Sequence, residues 1–158
     1  MKYGTNNEPV ALKIFRDNVN ATVYRCGFLV NKYLRCLGYS TDGFVLVNGK
    51  LHLIEIKCPK KGKGLPCDIM ASQLSYLVSD KKKPGEFQLR KKHQYYGQIQ
   101  LGLFLTGLPV CHFLIYNSYE NKNVEILVAR DNDFQEMLVE TLIHVYFEQY
   151  LPYLQTYY

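Results

Sequence analysis

Two carboxylates and an ammonium group lie at a spacing in the sequence that suits metal-dependent chemistry. Asp42 lies in the segment STDGF, and Glu55 and Lys57 follow in the segment LIEIKCP. Carboxylate oxygens are the ligands that Mg²⁺ and Mn²⁺ prefer. If the two acids meet, they can hold one or two such ions, and the backbone carbonyl of Ile56 is a candidate further ligand.

A metal ion held in this way could polarise a phosphodiester and lower the pKa of a bound water. Lys57 could then orient the water, act as its base or neutralise the charge of the phosphate, and a lysine base needs a depressed pKa. Taken alone, Glu-x-Lys on a strand is usually an exposed ion pair, and Ser-Thr-Asp-Gly is usually a turn. The interpretation therefore depends on the elements that position these side chains.

A predicted β-hairpin connects the two motifs. The segments 44–47 and 51–57 are rich in apolar and β-branched residues, and between them lies Asn48-Gly49, the strongest short hairpin signal. A hairpin brings the start of its first strand close to the end of its second. We therefore expect Asp42 and Glu55 to approach each other.

Strand alternation orients the side chains on the second segment. Successive side chains point to opposite faces of a strand, so Glu55 and Lys57 share one face. Ile54 and Ile56 lie on the other face, which we expect to pack against the core.

The remaining segments predict one α/β domain spanning residues 1–158, in which a central mixed β-sheet is flanked by helices. The predicted helices are 6–18, 91–106 and 131 to about 150, and the predicted strands are 22–30, 44–47, 51–57, 110–116 and 124–129. Residues 59–92 are rich in lysine, glycine and proline, and they predict a long basic loop with one short helix at 68–78.

Four segments, taken in order, resemble the motifs of the PD-(D/E)xK nuclease superfamily, and in particular its YqaJ viral-recombinase, lambda-exonuclease-like branch. The segments are GTNNE with Glu8, STDGFV with Asp42, LIEIKCP with Glu55 and Lys57, and YYGQIQLG with Tyr95 and Gln98. The resemblance covers residues 4–129. Thr41 replaces the proline that commonly precedes the aspartate, a position that supplies no ligand.

The resemblance implies a restriction-endonuclease-like core and a deoxyribonuclease that uses Mg²⁺, for which Mn²⁺ can substitute. It adds Glu8, Tyr95 and Gln98 to the catalytic set. Glu8 would contact the metal through water or pair with Lys57, and Tyr95 and Gln98 would hold the scissile phosphate or a metal water. Each of these residues alone would be an ordinary polar residue on a helix.

The activity implied by the resemblance is that of an exonuclease acting on duplex DNA ends in recombination or replication. Two alternatives stay open. One is a non-catalytic DNA-binding or assembly module of the same fold, which the intact carboxylates and lysine argue against. The other is a restriction-type or repair-type endonuclease, which the fold does not separate from an exonuclease because the same chemistry serves both.

Basic residues around the motifs predict a path for DNA. The formal net charge is +5, which suits a polyanionic partner without requiring one. The candidates for DNA contact are Ser40, Lys60, Lys61, Lys63, Lys81, Lys82, Lys83, Arg90, Lys91 and Lys92. The alternative for the lysine-rich segment is a solvated loop, and steep salt dependence of binding would mark DNA contact.

The location and the partners complete the expectations. The sequence has no apolar leader, no run of eighteen apolar residues and five cysteines without a CxxC pair. We expect an intracellular protein of the cytoplasm or nucleus, with reduced thiols and no membrane contact. The resemblance alone adds a homo-oligomer, a single-strand annealing protein as partner, and a viral, phage or mobile-element setting.

Overall fold

The turn at Asn48 and Gly49 forms as the sequence predicts, since the two residues take φ values of 49° and 75°. It joins β4 (Gly43–Val47) to β5 (Lys50–Lys57), which pair in antiparallel register. Asp42 directly precedes β4, so its side chain lies at the end of the hairpin farthest from the turn.

A computed structural model describes residues 2–80, 83 and 85–156. Its helices and helical turns are α1 (Lys2–Val19), a 3₁₀ turn (Lys60–Lys63), α2 (Cys67–Ser72), α3 (Gln94–Thr106), α4 (Asn132–Val145), a π turn (Tyr146–Tyr150) and α5 (Leu151–Gln155). Its remaining strands are β1 (Thr22–Tyr24), β2 (Phe28–Val30), β3 (Gly38–Ser40), β6 (Leu77–Ser79), β7 (Phe87–Leu89), β8 (Val110–Asn117) and β9 (Lys122–Ala129).

The central sheet has five strands in the order β1-β4-β5-β8-β9. Strand β5 pairs in parallel with β8, and the other neighbours pair in antiparallel fashion. The predicted α/β class with a mixed central sheet is therefore confirmed. Two small sheets, β2-β3 and β6-β7, stand apart from it.

Helices cover both faces of the central sheet. On one face, Ala11 and Phe15 of α1 pack with Ile54. On the other face, Ile99 of α3 packs with Leu53. Full burial of each large apolar side chain contributes about 1.5–3 kcal/mol to stability. Because β5 is covered on both sides, the face that carries the glutamate is also a core face, which strand alternation alone did not predict.

Helix α1 is longer than predicted. The sequence placed Pro9 in the first turn of a helix at 6–18, but α1 begins at Lys2 and Pro9 lies inside it. A proline inside a helix has no N–H for the carbonyl four residues earlier, here that of Thr5. Burial of residues such as Phe15 against the sheet offsets the cost of this missing hydrogen bond.

The predicted strand at 22–30 is wrong as a single element. It breaks after Tyr24, and β1 and β2 join different sheets: β1 pairs with β4, and β2 pairs with β3. The apolar residues form a continuous pattern, but this pattern does not show which strand each half of the segment will pair with. Long-range pairing therefore decides where the strand ends.

The long loop predicted at 59–92 is also more structured than expected. Helix α2 ends at Ser72, before the predicted end at residue 78, and β6 pairs with β7 in a hairpin. Leu77 and Leu89 are buried in the same core cluster as α3, so tertiary burial stabilises this hairpin. Lys81, Lys82 and Pro84 lie outside the described residues.

The last predicted helix is confirmed, and it continues through the π turn into α5. Asp131 caps it, since its side chain accepts a hydrogen bond from the Phe134 amide at 3.3 Å. None of the helices in the described ranges is both long and apolar enough to cross a membrane.

Candidate active site

Asp42 is bonded to the backbone of the neighbouring strand. Its Oδ2 accepts a hydrogen bond from the Ile56 amide at 2.7 Å, beyond the last β4–β5 pair. The Thr41 hydroxyl accepts from the Gly43 amide at 3.0 Å and fixes the preceding turn. In a strand the N–H and C=O of one residue point the same way, so the Ile56 carbonyl shares this edge with Asp42.

Glu55 is the most completely hydrogen-bonded side chain of the site. It is only 2% exposed. Lys57 Nζ and Gln98 Nε2 donate to its Oε1 at 2.7 and 2.6 Å, and Tyr39 Oη donates to its Oε2 at 2.6 Å. The carboxylate is therefore held in one orientation by groups from β3, β5 and α3.

Lys57 and Tyr95 form a second contact of the site. The Lys57 ammonium lies 4.7 Å from the centroid of the Tyr95 ring, within the range of a cation–π interaction. Tyr95 in turn packs edge-on against Tyr76, at 5.0 Å between ring centroids. The tip of the lysine is thus positioned by a carboxylate on one side and an aromatic ring on the other.

A cleft of about 310 Å³ opens beside Asp42. Glu8 of α1, Arg25 and Ile56 line it together with Asp42. The larger groove of this surface, about 1200 Å³, lies between β7 and β9, and its described lining includes none of the predicted catalytic residues. The smaller cleft is the candidate site because its described lining includes Glu8, Asp42 and Ile56. Glu55 and Lys57 are not part of that lining, and they flank Ile56 on β5.

The charges in and around the cleft oppose one another. Burial raises the pKa of Asp42, although the Ile56 amide and the positive charge of Lys57 lower it. Burial also raises the pKa of Glu55 more than Lys57 lowers it, and the charge of Asp42 adds to the increase. Burial and the charge of Asp42 raise the pKa of Glu8. Three carboxylates are therefore costly to ionise together.

Lys57 keeps its proton in this environment. Burial lowers its pKa, but the charge of Glu55, the hydrogen bond to it and the charge of Asp42 raise it, and the pKa lies above its ordinary value. This is opposite to the depressed pKa that a lysine general base requires. The geometry supports a charged, donating lysine.

The directions of these pKa shifts predict how the rate of a metal-dependent hydrolysis at this site would depend on pH. If Asp42 and Glu55 are metal ligands, they must lose their protons to bind the ion, and their raised pKa values would move the acid limb of the profile to higher pH than for free carboxylates. We expect cleavage to rise with pH and to stay high into the alkaline range, because Lys57 remains protonated there. Initial rates across pH at two Mg²⁺ concentrations check this, and more Mg²⁺ should shift the acid limb to lower pH. A profile that falls as the solution becomes alkaline would contradict it.

Two side chains of the site, those of Tyr39 and Arg25, were not predicted from the sequence. Tyr39 donates to Glu55, and Arg25 lines the cleft and lowers the pKa of both Asp42 and Glu8. Tyr39 alternates with the predicted Ser40 on β3, but no local signal shows that β3 lies against Glu55. Arg25 gains its position from the break between β1 and β2, which the sequence did not reveal.

Several predicted DNA-contacting lysines have partners within the protein. Lys61 donates to the Gln73 carbonyl at 2.9 Å. Lys91 pairs with Asp131 at 2.6 Å, and the exposed Lys83 contacts Glu86 at 3.2 Å. Exposed pairs of this kind are weak and can be exchanged for phosphate contacts.

The other predicted contacts lie at the surface or against the protein. Lys63 lies 4.5 Å from the ring centroid of Tyr3, and Arg90 Nε donates to the Leu77 carbonyl at 3.0 Å. Exposed positions are taken by Ser40, Lys60 and Lys92, whereas Lys81 and Lys82 fall outside the described residues. His93 caps α3, accepting from the Tyr95 amide at 3.2 Å, so α3 begins later than predicted.

The donors of the cleft suit a hard cation. They are carboxylate and carbonyl oxygens, and the repulsion among the acids would be relieved by a divalent ion. Within the described ranges, no three His, Cys, Asp or Glu side chains gather tightly enough to form a metal site alone. Such an ion would need backbone and water ligands as well, which is usual for Mg²⁺.

Comparison with known proteins gives consistent matches. The profile of the YqaJ-like viral recombinase domain matches residues 1–109. The alkaline nuclease of Orgyia pseudotsugata multicapsid polyhedrosis virus is 26% identical over 128 residues, covering 73% of this chain and 30% of the viral protein. The chain thus spans less than a third of that relative's length.

Solved structures match over nearly the whole chain. LHK-Exo in complex with dAMP superimposes with a TM-score of 0.69 at 25% identity, covering 99% of this chain and 72% of the other. The alkaline exonuclease LHK-Exo from Laribacter hongkongensis gives the same TM-score and coverage at 24% identity. The described fold is therefore that of an alkaline exonuclease.

Proposed function

Since the chain belongs to the YqaJ-like viral recombinase domain family, we propose that it is a metal-dependent deoxyribonuclease, which hydrolyses phosphodiester bonds of DNA. The observation that carries the proposal is the network around Glu55, in which Lys57 and Gln98 share one carboxylate oxygen beside the cleft of Asp42. Similarity to an alkaline nuclease and to an alkaline exonuclease supports it. The dAMP bound to LHK-Exo, a deoxynucleoside monophosphate, supports DNA as the substrate.

Mg²⁺ is the proposed cofactor, with Mn²⁺ as a substitute. Asp42, Glu55 and the Ile56 carbonyl would hold it, and Glu8 would reach it through water. When bound, Mg²⁺ supplies Lewis acidity toward the phosphodiester and lowers the pKa of a water. Glu55 accepts two hydrogen bonds at Oε1 and one at Oε2, so Oε2 would keep an acceptor position for the ion without losing a donor.

Side chains of the protein would stabilise the developing charge and orient the groups of the site. Lys57, charged and fixed between Glu55 and Tyr95, can donate to a phosphate oxygen and offset the negative charge that develops during hydrolysis. Gln98 orients Glu55 through one N–H of its amide group, and the second N–H can donate to the phosphate or to a water. Tyr39 keeps Glu55 oriented, since burial and the Glu55 charge raise the pKa of its hydroxyl and keep it protonated.

The finer proposal is an exonuclease that acts on duplex ends in recombination or replication. It rests on the alkaline exonuclease match. A homo-oligomer and a single-strand annealing partner are proposed on the family resemblance alone. The basic residues from the 3₁₀ turn to the start of α3 would supply the contacts to the DNA backbone.

The deciding experiment compares end-labelled linear duplex with covalently closed circular duplex, each in Mg²⁺ and in EDTA. We expect the linear duplex to be degraded only in Mg²⁺ and the closed circle to persist. Cleavage of the circle would favour the endonuclease alternative. If neither substrate is cleaved in Mg²⁺ or in Mn²⁺, the result would favour the alternative of a non-catalytic DNA-binding module.

A further inference from the structure

The β2–β3 hairpin has two chemically different faces. Its inner face carries Tyr39, which is buried and donates to Glu55. Its outer face carries Phe28 and Val30, which are 68% and 54% exposed, opposite Ser40 and Gly38. Exposed large apolar side chains that lie together beside a candidate catalytic cleft are typical of an interaction site.

Contacts within the hairpin position the residues of the outer face and of the connecting loop. The Phe28 ring lies directly over Gly38, and a Cβ at that position would collide with it. The loop is also fixed, because Asn31 Oδ1 accepts from the amides of Tyr33 and Leu34 at 2.9 and 2.8 Å. Tyr33, 85% exposed, is therefore presented to solvent by an ordered turn.

The chain segment that contains this face carries charged residues of a single sign. The sequence has no acidic residue between Asp17 and Asp42, whereas Arg25, Lys32 and Arg35 lie in that interval. The Lys32 ammonium lies 5.4 Å from the centroid of the Tyr33 ring. Exposed rings flanked by cations are complementary to a polyanion with flat apolar faces, which describes a strand of unpaired nucleotides.

The position of the hairpin links it to the cleft. Strand β3 runs through Thr41 directly into Asp42, and Arg25, which precedes β2, lines the cleft. A DNA strand whose phosphodiester lies in the cleft would therefore have its neighbouring nucleotides beside the hairpin. Base pairs within a duplex hide their faces by stacking, so the rings can stack only on unpaired bases.

We propose that the outer face of the β2–β3 hairpin, together with the loop that joins the two strands, binds unpaired bases next to the scissile phosphodiester, with Phe28 of the face and Tyr33 of the loop stacking on them. This inference rests on the proposed DNA nuclease function and specifies its substrate as a strand unpaired near the cut. Arg25, Lys32 and Arg35 contact the phosphates of that strand.

The test measures binding in EDTA, where no metal-dependent cleavage occurs, by fluorescence anisotropy. The ligands are a labelled single-stranded DNA oligonucleotide and an abasic oligonucleotide with the same length and phosphates. We expect wild type to prefer the oligonucleotide with bases by about tenfold or more. Tyr33→Ala and Phe28→Ala should lose most of this preference, and Tyr33→Phe should keep it. Tyr150→Ala, at an exposed tyrosine of the π turn, is the matched control and should bind as wild type does.

Two results would overturn the inference. One is equal binding of the two oligonucleotides by wild type. The other is an unchanged preference for the oligonucleotide with bases in Tyr33→Ala and Phe28→Ala. If, in addition, these variants sediment as monomers where wild type sediments as a dimer, the face is an interface between copies of the chain. The proposed function fails separately, when wild type cleaves no DNA in the linear-duplex assay.

Discussion

Asp42→Asn is expected to lower the rate of DNA cleavage at least about a thousandfold while the fold remains intact. The amide oxygen can still accept the hydrogen bond from the Ile56 amide, so the end of the β4–β5 hairpin keeps its geometry. The negative charge that would bind the cation is lost. Initial rates on linear duplex in Mg²⁺, together with far-UV circular dichroism, separate the two effects.

The same variant should be at least as stable as wild type at neutral pH. Burial raises the pKa of Asp42 in the folded state, so the folded protein holds this proton more tightly than the unfolded chain does. Stability from this group is therefore present at low pH and is lost as pH rises through the folded pKa. Asp68→Asn, at an exposed aspartate of α2, is the control for both rate and urea midpoint. Activity near wild type in Asp42→Asn would rule out the proposed site.

Gly102→Ala is expected to destabilise the protein by about 1–3 kcal/mol and to slow cleavage. A Cβ at this position of α3 would lie 2.7 Å from the Tyr39 ring and 2.8 Å from Leu53. Leu53 is fully buried, and the Tyr39 ring is held by its hydrogen bond to Glu55. The added methyl group must therefore displace the tyrosine from the carboxylate or separate α3 from the sheet. Urea unfolding and initial rates measure the two consequences.

Gly97→Ala provides the control within the same helix. Nothing lies within 4 Å of a Cβ added there, and alanine favours a helical backbone over glycine. We expect this variant to be more stable than wild type by about 0.5–1 kcal/mol. If Gly102→Ala gave the same gain, the close contact between α3 and Tyr39 would be disproved.

The part of the site that the sequence predicted depends on local signals. An Asn-Gly turn fixes the hairpin, and strand alternation fixes the common face of Glu55 and Lys57. Both features are determined by residues that lie close together in the sequence. Tyr39 and Arg25 could not be predicted in this way. Tyr39 reaches Glu55 because β2 and β3 leave the main sheet, and that choice of partner is made by packing across the whole domain.

The fold class was predictable for a related reason. Apolar periodicity identified α1, α3 and the central-sheet strands β4, β5, β8 and β9, and their order restricted the arrangement to a mixed sheet between helices. The β6–β7 hairpin was missed because each of its strands has only three residues and the segment between them contains a run of three lysines followed by Pro-Gly. Two leucines, Leu77 and Leu89, supply the burial that determines its structure, and their pairing spans a segment with no strand pattern of its own.

The parallel pairing of β5 with β8 has a consequence for how activity arises during folding. The contact of Asp42 with Ile56 closes within one hairpin, whereas that of Glu55 with Gln98 spans 43 positions of the chain and requires α3 to dock on the sheet. Contacts of high sequence separation close large loops and form slowly. We therefore expect the hairpin to form early and the complete constellation to appear only near the native state, so that a partly folded chain has no nuclease activity.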